Sequence, residues 1–172
     1  MYTAVAHPGH TLRRFTSLAL GGAALAFAMG SIAAPAPAFT LPTTAGASIS
    51  LGEHKGKIVY VDFWASWCGP CRQSFPWMNE MLGKYQTQGF EIIAVNLDAA
   101  RADADHFLEA NPASFTVALD PLATMPPQYG VKGMPTSYLI DGEGEIILQH
   151  TGFNDSHTAD LEAAIQKALE TK

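Results

Sequence analysis

Cys68 and Cys71 are the only two cysteines of the 172-residue chain, and they sit in the run Trp67-Cys68-Gly69-Pro70-Cys71. The apolar segment Ile58-Val59-Tyr60-Val61-Asp62-Phe63-Trp64 leads into them. A strand that delivers a Cys-X-X-Cys pair to a helix start is a device for thiol–disulfide exchange. Unpaired N–H groups and the dipole at the helix N-terminus favour the thiolate of the first cysteine. The second lies one turn further in, placed to close a disulfide or to attack a mixed one. Cys68 is therefore the expected nucleophile and Cys71 the expected resolving thiol. Structural zinc would need a full tetrahedral ligand set, which two thiols and the unpaired spacing of His54, His106, His150 and His157 do not supply. A purely structural disulfide across so short a loop would remove little chain entropy.

Around the pair, Gly69 and Pro70 set the loop between the thiols. Proline lacks an N–H and fixes φ, which suits the first turn of a helix and stiffens the pair. Asp62 stands in the apolar strand ahead of Cys68. A buried carboxyl there would have a raised pKa and could pass a proton to or from Cys71; the plainer reading is a strand aspartate bonded to backbone or water. Trp67, Met134 and the pair Gly152-Phe153 are read as the rim of an apolar docking patch, with Met134 an adaptable contact. Trp64, Phe75, Met78 and Met81 read as core. The histidines and Glu143 and Glu145 read as ordinary surface residues.

The elements that must hold this site follow from apolar periodicity. Phe39-Thr40-Leu41 and Ile49-Ser50-Leu51 flank a turn, after an extended linker from Pro35 to Pro42. Lys57 to Ala65 is a buried strand. Gly69 to about Gln86 is a helix that Pro76 should kink. Phe90 to Leu97 is a second buried strand, Arg101 to Ala110 a short helix, and Phe115 to Leu119 a strand. Leu122 to Tyr129 is a proline-broken turn or helix. Thr136 to Ile140 and Ile146 to His150 form a hairpin around Asp141-Gly142-Glu143-Gly144, and Ser156 to Glu170 is the closing helix. Alternating strands and helices predict an α/β sheet covered on both faces, and the final hairpin makes it mixed.

Every acidic residue lies from Glu53 onward, so the part after the leader is more acidic than the whole-chain charge of −6. With no basic patch, nucleic acid is excluded as a partner. Residues 1–38 read as a signal peptide or N-terminal membrane anchor plus linker, and residues 39–172 as one domain. Arg13-Arg14 precedes an apolar stretch from Leu18 to Ala34, with Ala36-Pro37-Ala38 or Ser31-Ile32-Ala33 as cleavage patterns. Export to the periplasm, or anchoring at the inner membrane, places the cysteines where disulfides form by default.

These residues resemble the thioredoxin superfamily, in its exported TlpA/ResA-like branch. Trp64 to Cys71, Gly133-Met134-Pro135-Thr136 and Cys71-Arg72-Gln73-Ser74-Phe75-Pro76 carry the resemblance. It implies a thioredoxin fold: a mixed central sheet flanked by helices, an N-terminal strand extension, and an extra strand and helix within Phe90 to Phe115. It also implies that Pro135 is cis and that the backbone of Met134 pairs with an extended substrate. Asp62 then matches the superfamily's proton-shuttling aspartate, and Pro70 resembles reducing rather than oxidising members. The implied activity is reduction of disulfides in exported partner proteins, such as apocytochrome c or copper-site proteins of respiratory oxidases. Electrons would come from a membrane thiol reductant, with no cofactor beyond the redox-active cysteine pair and a monomer as the expected state. Ser74 departs from the glutamate usual in cytochrome-maturation members, and Ala94 from the lysine of many thioredoxins. A disulfide donor or isomerase and a non-enzymatic copper-handling module are the competing readings; soft thiolates suit Cu(I). The Pro-X-X-X-Thr/Ser-X-X-Cys setting of peroxiredoxins is absent.

Overall fold

The computed structural model describes residues 33–172. The expected leader and the Arg13-Arg14 pair lie outside the described residues. Among the described residues no helix is long and apolar enough to cross a membrane.

The chain runs β1 (Ala34–Pro35), β2 (Thr40–Pro42), β3 (Ser48–Ser50), β4 (Ile58–Trp64), α1 (Gly69–Tyr85), β5 (Phe90–Asn96), α2 (Arg101–Ala110), β6 (Thr116–Leu119), α3 (Met125–Tyr129), β7 (Thr136–Ile140), β8 (Glu145–Thr151) and α4 (Thr158–Glu170). Six strands form one sheet in the order β1-β8-β7-β4-β5-β6, and β2 pairs with β3 in a separate ribbon. The β4/β5 and β5/β6 pairs are parallel, and β7 and β8 run antiparallel to their neighbours. Parallel neighbours need a crossover, and α1 and α2 supply the two.

Period-two alternation along β4 divides the core. Ile58, Tyr60 and Trp64 face a cluster with Phe75, Met78 and Met81 of α1, Phe107 of α2, and Leu161 and Ile165 of α4. Val59, Val61 and Phe63 face a second cluster with Met125 and Tyr129 of α3 and with Phe39, Leu41 and Ile49 from the N-terminal ribbon. β4 is thus buried at every position, which is why it reads as a continuous apolar run. Its C-terminal end opens into the loop that carries the cysteines.

One expectation changes. The segment read as an extended linker is part of the fold: Ala34 and Pro35 pair with Ile146 and Glu145, the Ala36 N–H donates to the Gly144 carbonyl at 2.9 Å, and the Tyr129 hydroxyl donates to the Pro37 carbonyl at 2.8 Å. The sheet therefore takes in residues ahead of Phe39. The segment from Phe90 to Phe115 holds β5, which is central with a neighbour on each side, and α2, and it leads into the edge strand β6, which reaches Leu119. Pro76 lies inside α1, which runs on to Tyr85.

Candidate active site

Cys68 is the N-cap of α1, and Pro70 occupies the first turn, where its missing N–H costs nothing. The Cys71 N–H donates to Cys68 Sγ at 3.3 Å. One helix-terminal donor therefore already points at the sulfur that has to carry negative charge, as the dipole argument requires. The two cysteines are joined as a disulfide with their Cα atoms 5.3 Å apart. Cys68 keeps 5% exposure and Cys71 none, so a partner sulfur can reach only the first. Trp67 beside it is 73% exposed. Gly69 and Pro70 are also exposed, and nothing lies within 4 Å of where a Gly69 side chain would start.

The loop ahead of β7 closes the other side. The Met134-Pro135 bond is cis, as expected. The Thr136 hydroxyl donates to the Gly133 carbonyl at 2.7 Å, and the Gly152 N–H donates to the Pro135 carbonyl at 2.8 Å. Met134 is half-buried at the edge of the core cluster that contains both cysteines. Phe153, expected on the rim, is instead buried and packs on Trp77, with ring centroids 5.7 Å apart. The docking patch is therefore smaller than expected.

Asp62 stands opposite Ser137 on β7 and Ala94 on β5, on the face of β4 that packs against α1. It is 1% exposed, and its Oδ2 has no partner among the described residues. Burial alone pushes its carboxyl well above the ordinary range. Tyr60, also buried, donates its hydroxyl to Ser137 Oγ at 2.7 Å; burial first, and then the Asp62 charge, push its phenol up. Ser74, in the place of the expected glutamate, is buried and donates to the Cys71 carbonyl at 2.9 Å. Trp64 has no exposure and is core, as read from the sequence.

One functional group was not anticipated. Asp98, after β5, accepts from the Ser66 N–H and the Ser66 hydroxyl, each at 2.9 Å, and from the Asn96 amide at 2.7 Å. Asn96 in turn accepts the Asp98 N–H at 3.1 Å. Asp98 is 5% exposed. This clamp fixes the turn Ala65-Ser66-Trp67 just before the nucleophile. The available signal was Asn96-Leu97-Asp98 at the C-terminal end of a buried strand, where α/β sheets place their sites.

The histidines are also less ordinary than expected. His54 and Lys57 both pair with Glu91. His150 and His157 stack edge to face at 4.7 Å, each with one buried ring nitrogen that has no partner among the described residues.

A strand end, a helix-capping sulfur, a buried second sulfur and a buried carboxyl on the strand that leads to them can do dithiol–disulfide exchange. The chain matches the AhpC/TSA family over residues 32–149. It is 38% identical over 117 residues to the thiol-disulfide oxidoreductase ResA of Bacillus thuringiensis subsp. konkukian, covering 68% of each chain. Against ResA of Bacillus subtilis it is 37% identical over 117 residues, covering 68% of this chain and 65% of that one. Among solved structures, it superposes on a Chlorobium tepidum protein proposed to be the thiol:disulfide interchange protein DsbE, with TM-score 0.78 and 55% identity, covering 80% of this chain and 96% of that one. The thioredoxin domain of a Bacteroides vulgatus thiol-disulfide oxidoreductase follows at TM-score 0.71 and 28% identity, over 78% and 95% of the two chains.

Proposed function

The chain belongs to the AhpC/TSA family of the thioredoxin superfamily and is a thiol–disulfide oxidoreductase of the ResA type, and from that premise we propose that it works as a reductant of disulfides in exported partner proteins. The observation that carries the exchange chemistry is the Cys71 N–H aimed at Cys68 Sγ at the head of α1, and the reducing direction rests on Pro70 between the cysteines, which resembles the reducing members of the superfamily. That donor favours the thiolate of the reduced pair, which is the form that attacks.

In the proposed cycle the Cys68 thiolate attacks one sulfur of the partner's disulfide. A Cys68–partner bond forms, and the partner's other sulfur leaves as a thiolate. Cys71 then loses its proton and attacks Cys68 Sγ. The Cys68–Cys71 disulfide closes and the second partner sulfur departs, so two electrons have moved to the partner; Cys71 gives up one proton, and the second proton that the two partner thiolates need comes from solvent. Asp62 is the group proposed to take the Cys71 proton, acting as the carboxylate; burial raises its proton affinity and so makes it a stronger base for that transfer. The backbone of Met134, beside Pro135, is proposed to pair with the extended partner chain, and Trp67, Gly69 and Pro70 to frame the contact. The cysteine pair supplies all the redox chemistry in this scheme, with no cofactor. A membrane thiol reductant would regenerate the dithiol. Apocytochrome c and copper-site proteins of respiratory oxidases are the partner classes, and a monomer exported to the periplasm, free or anchored at the inner membrane, is the working form.

The test is the equilibrium potential of the Cys68–Cys71 pair in a thiol redox buffer, read by tryptophan fluorescence. A value near that of thioredoxin, about −270 mV, or up to glutaredoxin values near −200 mV, supports a reductant. A value near about −120 mV, as in DsbA, makes it a disulfide donor. Cys71→Ser in exporting cells should accumulate mixed disulfides with partner proteins, and their absence argues against exchange.

A further inference from the structure

Between α1 and α2 a groove with a cavity of about 340 Å³ opens directly beside the exposed Trp67. Its floor is Phe107, which is 5% exposed. Arg72, the residue after the resolving cysteine, stands over that ring with its guanidinium carbon 5.9 Å from the centroid. Ser66, Asp103 and His106 complete the walls used here.

The charges are unevenly engaged. Arg101, at the start of α2, is spoken for: it pairs with Asp105 at 2.9 Å and donates to the Thr44 carbonyl at 2.8 Å. His106 lies 3.5 Å from Glu109 on its own helix. Arg72 has no ion pair and no hydrogen bond among the described residues, although the chain is acidic overall. A guanidinium stacked on an aromatic face keeps its planar fork of donors free, and that fork matches a carboxylate bidentately. Asp103 is the one carboxylate lining the groove, and it lies beyond ion-pair distance of Arg72. It opposes a uniformly acidic occupant but leaves the Arg72 position open to a single carboxylate.

We infer that this groove seats the chain segment next to the partner's reacting cysteine, and that Arg72 selects an acidic side chain in that segment. The inference deepens the oxidoreductase reading and rests on it. The groove is lined by Trp67, the residue before Cys68, so a partner held by a mixed disulfide at Cys68 lies next to its mouth. Arg72 acts here on recognition and not on the sulfur chemistry.

The experiment uses two disulfide-linked peptide homodimers that differ only in having Asp or Lys two residues from the cysteine. Reduction of each by the pre-reduced full chain is followed for the wild type, Arg72→Glu and Arg72→Lys, at low and high salt. The wild type should favour the Asp peptide in kcat/KM by about tenfold at low salt, mainly through KM, the scale of one charge-assisted contact. Salt should shrink the preference. Arg72→Glu should reverse it, and Arg72→Lys should keep only part of it because the fork is lost. A change of potential caused by a substitution beside Cys71 would scale both peptides alike, so the ratio is the readout. Equal rates for both peptides in the wild type, or a preference that survives Arg72→Glu, overturns the inference. Failure of the wild type to reduce either peptide or insulin overturns the oxidoreductase reading instead.

Discussion

A carboxyl that is 1% exposed, with one oxygen unpartnered, sets a pH dependence that can be signed in advance. The folded state holds Asp62 protonated well above its ordinary 3.8. Below that ordinary value both states are protonated, and burial costs nothing electrostatically. As pH rises past it, the unfolded chain ionises first and stability is lost until the folded group ionises too. Asp62→Asn should therefore raise stability at neutral pH by roughly 1–3 kcal/mol, the scale of one unsatisfied buried polar group, and should give no gain near pH 3. Urea unfolding of the oxidised protein at both pH values checks this, and equal gains at both would sink the ionisation account. The same variant should reduce partners more slowly at neutral pH; unchanged rates across pH would remove Asp62 from the mechanism. Asp98 offers a contrast, since its oxygens are filled. Asp98→Ala strands the Ser66 N–H and hydroxyl and the Asn96 amide, at a cost of roughly 1–3 kcal/mol. Asp98→Asn can regain those bonds by turning the Ser66 hydroxyl into an acceptor, so it should recover most of the loss in urea midpoint and the wild-type tryptophan emission.

At the scale of elements, legibility in the sequence followed how much of an element's structure is decided locally. α2 was read at its observed limits because Arg101 to Ala110 has helical spacing and ends at Asn111-Pro112. β4 was read to within a residue because its burial writes itself as a largely apolar run, and β7 at its observed limits because the turn Asp141-Gly142-Glu143-Gly144 marks its hairpin. The Asp98 clamp and the docking of residues 34–37 were not legible. Each depends on which loop lands beside which strand, and nothing in local composition encodes that. The Cys-X-X-Cys pair and Asp62 were legible because a motif and a charge in an apolar strand are local signals. α2 also does more than cross over. Phe107 sits 4.7 Å from the Trp64 ring and 5.0 Å from Phe75, tying α2 to the strand and helix that bear the cysteines. Phe107→Ala should cost about 3–5 kcal/mol. Leu122, at 83% exposure, supports nothing beneath it, so Leu122→Asp should change stability by no more than about 0.5 kcal/mol. Urea midpoints at constant slope measure both, and a loss at Leu122 as large as at Phe107 would contradict the burial account.

For the whole molecule, the question is where the folded unit starts. Phe39, Leu41 and Ile49 close the second core from the N-terminal ribbon, and the family match begins at residue 32. Ahead of Phe39, β1 covers the edge of β8, and the Pro37 carbonyl takes the hydroxyl of Tyr129, which is 6% exposed. A chain starting at Phe39 loses both, leaving a nearly buried phenol without its acceptor and uncovering the edge of β8. A chain starting at Ala33 keeps both. The second should be more stable by roughly 1–3 kcal/mol, with the same potential for the cysteine pair, because β1 lies at the sheet edge with β8 and β7 between it and β4. The two cleavage patterns in the sequence fall on either side of this segment: a cut after Ala33 spares it and a cut after Ala38 removes it. Urea unfolding of the two chains measures the difference. Equal midpoints would mean that residues 34–37 lie on the fold without supporting it, and the domain would then begin in energetic terms at Phe39.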